Sequence, residues 1–317
     1  MKVTKEESNM TERQEMTGRF DNDEKIGKQI TFELARVLCR LAYNLPDDVK
    51  KRIEEMAGAE NDPAAKKVYE CMLENLDLAD RLSRPLCQDT GIPNFYIKAG
   101  ARSPVLGMLE KILKDASAGA FADAPLRPNA IDPFTGKNSG NNEGPRAPYI
   151  DWEIVQGDEV EITAYLCGGG CSLPGFALVL TPGEGLEKAK ELIIAKILEK
   201  GVNACPPLAV GVGIGATADI AAKLSKKALL RPAGSVNGDP NAAKLEKELF
   251  ERINALRIGP SGMGGAESVL AVNVEFGVRH PATFAVGLST GCWATRRCVI
   301  KIDGGLNVKV CGLEDRA

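Results

Sequence analysis

The stretch SRPLCQDTGIPNF places a thiol, an amide and a carboxylate side by side, in Cys87, Gln88 and Asp89. A proline lies on each side of this group, and proline interrupts helical hydrogen bonding, so the segment is predicted to be an irregular loop. A cysteine thiolate is a soft metal ligand, and a carboxylate can take up or release a proton. The loop could therefore combine metal binding with acid–base chemistry.

Two further cysteines lie in similar settings, Cys205 in NACPP and Cys292 in STGCWATRR. Proline or glycine lies close to each of them, as to Cys87, and such turns leave backbone amides free to stabilise a thiolate or tune an iron–sulfur cluster. Structural zinc is usually bound by four ligands that come in close pairs. Three dispersed thiolates instead suit a cubane cluster in which one iron has no protein ligand. The alternative for each is an ordinary buried thiol, the common state of free cysteine.

Composition limits the classes of function that remain. The chain of 317 residues carries 40 basic and 43 acidic residues, for a net charge of −3, so no overall positive field points to nucleic acid. No apolar run reaches the roughly 18 residues of a membrane span. The polar residues 1–24 lack the apolar core of a signal peptide and are predicted to form a flexible tail. Nine cysteines without a secretion signal indicate reduced thiols and a cytoplasmic protein.

The pattern of elements predicts a mixed α/β fold, with a helical N-terminal layer packed on a mixed-sheet body. Periodic apolar residues predict helices over 21–44 and 61–82, and alternation or continuous apolar runs predict strands. Strands are expected at 160–167, 208–215 and 268–276, further helices at 184–201, 216–230 and 239–256, and a hairpin at 298–311. Residues 25–317 are expected to form one catalytic domain, with a possible seam between subdomains near 123–149.

Two local features refine the helices. Asp62 and Asp239 each precede a proline, which predicts an N-cap followed by proline at the first helical position. Cys39 and Cys71 lie on or beside the apolar faces of the first two helices, so both are predicted to be core thiols.

Seven motifs occur in the order found in class I fumarases and L-tartrate dehydratases: PLCQDTG, LRPN, GGG, CPPLAVGVGIG, IGPSGMGG, RHPA and CWATRR. The sequence over roughly residues 30–300 resembles the alpha subunit, or N-terminal catalytic domain, of this family. The resemblance implies an oxygen-sensitive [4Fe–4S] hydro-lyase that adds water to, or removes it from, a small dicarboxylate. Fumarate and malate are the first expectation for the substrate, and tartrate is the next.

The resemblance also implies roles for single residues. The cluster ligands of the family fall on Cys87, Cys205 and Cys292, which leaves one iron without a protein ligand. The acid–base group falls on Asp89. Contacts with the substrate carboxylate fall on four further positions: Gln88, Arg127, Gly170 and His280. The other half of the pocket in this family comes from a beta subunit, so a partner on a separate chain is expected, in an α2β2-like assembly.

Two segments depart from the family pattern, and both are expected to border the active site. The triglycine loop continues as GGGCSLPG, with Cys171 as a possible extra thiol near the cluster. The loop GPSGMGGAES has Ala266 and Glu267 where lysine and threonine are common in the family.

Two alternative functions remain open. LAVGVGIGATADIAAK fits a dinucleotide-binding fingerprint at Gly211, Gly213 and Ala216, although the acidic second strand of that fold is missing and the glycines more simply allow close helix–strand packing. A non-catalytic iron–sulfur subunit would keep the cysteines without needing Asp89, Arg127 and His280 together. The presence of all three favours an enzyme.

Overall fold

A computed structural model describes residues 24–313 of the chain, and this part contains seven α-helices and nine β-strands. The helices are α1 (24–43), α2 (Asp47–Ala59), α3 (Pro63–Leu82), α4 (Leu109–Asp123), α5 (Gly185–Lys200), α6 (Ala218–Leu229) and α7 (Pro240–Asn254). The strands are β1 (Ile92–Gly100), β2 (Tyr149–Val155), β3 (Val160–Cys167), β4 (Phe176–Leu180), β5 (Leu208–Gly215), β6 (Val269–Phe276), β7 (Phe284–Gly291), β8 (Arg297–Ile302) and β9 (Val308–Cys311). The predicted mixed α/β class is confirmed.

Capping side chains set the start of two helices. Asp62 accepts hydrogen bonds from the backbone N–H groups of Ala64 and Ala65, and Pro63 takes the first helical position of α3. Asp239 and Pro240 repeat this arrangement at α7. Both predicted starts are confirmed, because the carboxylate satisfies backbone donors that have no partner within the helix.

The first sheet has five strands in the order β2-β1-β3-β8-β9. Helices α1 and α4 cover one of its faces, and the apolar residues of that layer form a continuous core. The helical face predicted for α1 is the one buried there, as the fully covered side chains of Leu34 and Leu41 illustrate. The predicted N-terminal helical layer is therefore confirmed.

The second sheet has four strands in the order β4-β7-β5-β6. Helices α5 and α7 pack on one face and enclose a second core. Helix α6 packs on the other face and reaches across to the first sheet, where Lys223 pairs with Asp151 at 2.9 Å and Lys227 with Glu153 at 2.7 Å. The two sheets are thus joined through one helix.

Glycines in β5 allow α6 to lie directly against the strand. A Cβ atom at Gly211 would lie 2.1 Å from the carbonyl oxygen of Ser225, and one at Gly213 would lie 2.0 Å from that of Ala221. No side chain fits in that space. The glycines that match a dinucleotide-binding fingerprint therefore serve close packing between β5 and α6, the simpler of the two explanations given by the sequence.

Helices α2 and α3 form a third apolar cluster with residues near β6 and β8. On α3, the buried residues at the centre of this cluster are Tyr69, Met72 and Leu76. The buried face therefore does not include Cys71, which was predicted to lie on or beside it. Cys71 is consequently exposed, and its prediction as a core thiol is wrong, whereas Cys39 is half-buried and packs against the first core.

Three further predictions concern the N-terminal tail, membrane spans and the seam near 123–149. The predicted tail, residues 1–24, falls outside the described residues except for residue 24, which lies in α1. Within residues 24–313, every helix is too short or too polar to span a bilayer. Residues 124–148, which cover most of the predicted seam, form an irregular segment between α4 and β2.

Candidate active site

Cys205 and Cys292 lie together at one end of the two central strands of the four-stranded sheet. Cys205 precedes β5 and Cys292 follows β7, and the antiparallel pairing of Ala209 with Gly291 brings the two ends next to each other. The backbone N–H of Trp293 donates a 3.2 Å hydrogen bond to the carbonyl of Cys205. Cysteines separated by 87 residues in sequence therefore share one site.

Cys87 and Asp89 reach the same region from the other sheet. Their loop leads into β1, whose first residue pairs with Cys167 at the end of β3, so it lies beside the triglycine loop. Burial raises the pKa of Cys205, and the negative charges of Cys87, Cys171 and Asp89 raise it further. These groups can influence Cys205 only because they lie close to it.

The Asp89 carboxylate is held by three donors. One oxygen accepts hydrogen bonds of 3.1 Å from the backbone N–H of Gly91 and from the Asn129 amide, and the other accepts one of 2.8 Å from the backbone N–H of Gly169. A Cβ atom at Gly168 would lie 3.0 Å from this second oxygen, so a larger residue there would require the carboxylate to shift slightly. Asn129 was not singled out in sequence, although its motif LRPN was.

Gln88 and Arg127 lie at the mouth of the site, and their exposed side chains are hydrogen-bonded to each other. The backbone of Arg127 is fixed by Thr90, whose hydroxyl accepts from its N–H at 3.0 Å and donates to its carbonyl at 3.1 Å. These two side chains and Asp89 border an open depression of about 1240 Å³. Its wall includes Asn129, Ile131, Phe134, Tyr149, Cys167, Gly168, Gly169 and Ser172.

Cys171 supplies the extra thiol that the sequence suggested. Its side chain is buried, its sulfur donates to the carbonyl of Gly168 at 3.3 Å, and the Thr290 hydroxyl donates to its carbonyl at 2.6 Å, which holds it near Cys292. A hydrogen-bonding interaction with the Cys292 thiol lowers the pKa of Cys171 to about 6, against the effect of burial. The same hydrogen bond, together with burial, raises the pKa of Cys292 well above its usual value. The pair thus loses its protons in two separate steps.

Two predicted substrate contacts differ in their placement. Gly170 is exposed and directly follows the Gly169 donor, beside the depression. His280 lies in the loop between β6 and β7, near the pairing of Gly215 with Ala285. Because β7 runs from there to Cys292 at about 3.3 Å per residue, the two ends are about 20 Å apart. His280 is not brought to the other predicted residues of its own chain, and its substrate contact stays a prediction.

The second departure from the family pattern is hydrogen-bonded to the N-terminal helical layer. Both carboxylate oxygens of Glu267 accept hydrogen bonds of 2.8 Å from the Arg52 guanidinium on α2. The backbone N–H of Ala266 donates to the buried Glu60 carboxylate at 2.9 Å. These two positions dock the loop on the N-terminal helices. Earlier in the same loop, the backbone N–H of Ser261 donates to the carbonyl of Pro206 at 2.9 Å, next to Cys205, and the expectation that the loop borders the active site stays a prediction.

The three predicted cluster cysteines lie on three separate loops. Among residues 24–313, no three histidine, cysteine, aspartate or glutamate side chains lie close enough together to hold a single metal ion. Cysteines that ligate a polynuclear cluster each bind a different iron, so they surround the cluster and do not converge on one point. Thiols approaching from three separate loops fit that requirement.

Comparison with known proteins agrees with this geometry. A family model described as Fumarate hydratase (Fumerase) matches residues 32–301. The L(+)-tartrate dehydratase subunit alpha of Escherichia coli strain UTI89 is 43% identical over 286 residues, covering 90% of this chain and 94% of the relative. The subunits of the same name from Escherichia coli strain K12 and Shigella boydii serotype 4 are each 42% identical, with the same coverage. The chain therefore belongs to the fumarate hydratase family of hydro-lyases, as the order of its motifs implied.

Proposed function

We propose that this chain is the alpha subunit of a [4Fe–4S]-dependent hydro-lyase whose substrate is L(+)-tartrate. The observation that carries the proposal is that Cys205 has the loop of Cys292 on one side and the loop of Cys87 and Asp89 on the other, next to an open depression with Arg127 at its mouth. The length of the match to L(+)-tartrate dehydratase alpha subunits supports the same conclusion.

The proposed cluster ligands are Cys87, Cys205 and Cys292. When bound, the cluster would supply one iron without a protein ligand, a Lewis acid for a substrate hydroxyl and carboxylate. The protein contributes three loops, each of which carries one thiol. Cys171 lies against Cys292 as a fourth thiol, so the loop that follows β3 also borders the proposed cluster.

Asp89 is the proposed acid–base residue. Three hydrogen bonds orient its carboxylate, and it lines the depression that a substrate would enter. Orientation of this kind keeps the carboxylate within reach of the substrate hydroxyl or of the proton that is transferred.

Arg127 and Gln88 are the proposed contacts for one end of the substrate. A guanidinium binds both oxygens of a carboxylate through parallel N–H donors, and Gln88 holds that group at the mouth of the depression. Gly170 would add a backbone contact beside Asp89. His280 stays a proposed contact, although its distance from this depression means that it would have to act at another pocket.

Tartrate is placed ahead of fumarate and malate, the reverse of the order drawn from sequence. The reason is the 42–43% identity to L(+)-tartrate dehydratase alpha subunits over nine-tenths of the chain. Hydration of fumarate is the second candidate, favoured by the family model that matches residues 32–301.

A beta subunit on a separate chain is the proposed partner. A dicarboxylate has two charged ends, and both must be neutralised for the reaction. Of the basic residues in the described chain that line the depression, Arg127 contacts Gln88 next to Asp89, whereas Lys137 and Arg146 lie on the irregular segment before β2. The wide depression would be closed by the partner in an α2β2-like assembly. A reducing cytoplasm would protect the cluster and the free thiols.

The test is anaerobic reconstitution with iron and sulfide, followed by assays of tartrate dehydration and of fumarate hydration. The purified chain is measured alone and co-expressed with its beta subunit. We expect about four irons per chain in both preparations, and turnover of tartrate only when the partner is present.

Each part of the proposal has its own contrary outcome. A chain that takes up no cluster would refute the iron–sulfur assignment, and robust turnover by the lone chain would refute the need for a partner. A cluster-loaded complex that turns over none of these substrates would favour the non-catalytic subunit. Faster turnover of fumarate than of tartrate would reverse the substrate order.

A further inference from the structure

Arg296 is a buried cation without a carboxylate partner among the described residues. Its exposed fraction is 2%, and one terminal nitrogen donates a 2.8 Å hydrogen bond to the backbone carbonyl of Asp89. Its Nε and Nη1 atoms are buried and have no hydrogen-bond partner in the described part of the chain. The adjacent Arg297 is different, because it pairs with the Asp48 carboxylate at 2.5 Å.

A guanidinium in this state is strongly unfavourable unless a negative charge lies nearby. Removing a cation from water costs free energy that only a counter-ion and hydrogen bonds can offset, and a single carbonyl satisfies one of five N–H donors. The missing negative charge must lie on the inner side of the residue, because the free N–H groups are buried and Arg296 does not line the open depression. A bound substrate is therefore not its partner.

Two thiols lie near Arg296. Cys171 is held near the end of β7, next to the turn that carries Arg296, because the Thr290 hydroxyl donates to its carbonyl at 2.6 Å. Cys292 is four residues earlier in the same turn, and the Thr295 hydroxyl folds that turn by donating to the carbonyl of Cys292 at 2.6 Å. Thiolates are the anions available to this guanidinium.

We propose that Arg296 is a positioning residue that balances the negative charge of the thiolate-bound cluster while holding the Asp89 backbone beside it. The inference rests on the proposed iron–sulfur function. One side chain would then link the electrostatics of the cluster to the position of the acid–base residue, since it donates to the carbonyl of Asp89 and lies in the turn that follows Cys292.

The experiment compares Arg296→Gln, Arg296→Lys and Arg297→Gln with the wild type, all reconstituted without oxygen. The readouts are iron and sulfide content and the midpoint potential of the cluster, followed by EPR. Loss of a nearby positive charge makes reduction harder, so we expect a more negative potential in Arg296→Gln. Arg296→Lys keeps the charge and should lie between that variant and the wild type. Arg297→Gln removes a carboxylate-paired arginine and should keep the wild-type potential.

The outcomes separate this inference from the proposed function. A wild type without a cluster refutes both. A loaded wild type and an Arg296→Gln variant with the same potential refute the role of Arg296 alone. If Arg296→Gln fails to hold a cluster that Arg296→Lys retains, the inference is supported. Equal losses in Arg296→Gln and Arg297→Gln would overturn it, because they would indicate a defect of folding common to buried arginines.

Discussion

The Asp89 carboxylate accepts a 2.8 Å hydrogen bond from the backbone N–H of Gly169, which lies 80 residues further along the chain. This contact joins the loop that carries Cys87 to the triglycine loop after β3. A backbone donor cannot rotate away as a side chain can, so the carboxylate is held in one orientation. The pairing of β1 with β3 is what brings the two loops together.

Asp89→Asn should leave the cluster content unchanged and lower the rate of tartrate dehydration by about 10²- to 10⁴-fold. The amide keeps the shape of the side chain but cannot take up a proton. Turnover is measured with the beta subunit present, and iron is counted on the same sample. Asp132→Asn is the control, because Asp132 caps an exposed turn in the outer wall of the depression. An undiminished rate in Asp89→Asn would exclude its acid–base role.

Single Cys→Ser variants at 87, 205 and 292 should each lose the cluster, because a neutral hydroxyl is a poor ligand for iron compared with a thiolate. Cys71→Ser is the matched control, since Cys71 is an exposed thiol on α3. Iron and sulfide analysis after anaerobic reconstitution provides the measurement. Full cluster content in all three variants would show that other residues bind the iron.

Glu60→Gln should destabilise the fold by about 1–3 kcal/mol near pH 7, because a buried acceptor loses charge-assisted hydrogen bonds. Burial alone would raise the pKa of Glu60, but hydrogen bonds from the backbone N–H groups of Asp62, Ala266 and Asn61 lower it overall. A carboxyl whose pKa is lower in the folded state stabilises the protein above its unfolded pKa, and loses that effect as pH falls through the folded value.

The difference in free energy of unfolding between the wild type and Glu60→Gln should therefore shrink on acidification. Chemical denaturation at several pH values measures it. Glu70→Gln serves as control, because Glu70 makes an exposed ion pair with Lys67 and should change stability little. A difference independent of pH would contradict the role assigned to the Glu60 charge.

Gly213→Ala should destabilise the protein by about 1–3 kcal/mol, since the added methyl group would overlap the backbone of α6. The Cβ atom would lie 2.0 Å from the Ala221 carbonyl oxygen and 2.3 Å from the Ser225 nitrogen. Gly58→Ala is the opposite case, because nothing lies within 4 Å of that Cβ and alanine favours the helix. Thermal unfolding of both variants checks the prediction, and a Gly213→Ala variant as stable as the wild type would contradict the packing interpretation.

Local sequence determined many of the elements and part of the site, although α2, α4 and the strands β1, β2, β4 and β7 were not predicted. Aspartate followed by proline predicted the starts of α3 and α7, because capping depends on residues two or three positions apart. The loop settings of Cys87, Cys205 and Cys292 selected three thiols that the fold does bring together. The glycines of β5 were correctly attributed to helix packing, and the seven ordered motifs indicated the family that the comparisons show.

Strand order and side-chain packing decided which distant residues meet in the candidate site. Asn129 and Arg296 contact Asp89 across 40 and 207 residues, and no periodicity carries such information. Cys171 meets Cys292 only because the turn after β3 folds against the end of β7. His280 precedes β7 and Cys292 follows it, so the length of this strand separates them. Because β7 runs antiparallel to β5, Cys292 lies beside the start of β5 and His280 lies near its end. Sequence patterns specify which residues form a strand, whereas the pairing of distant strands decides which ends meet.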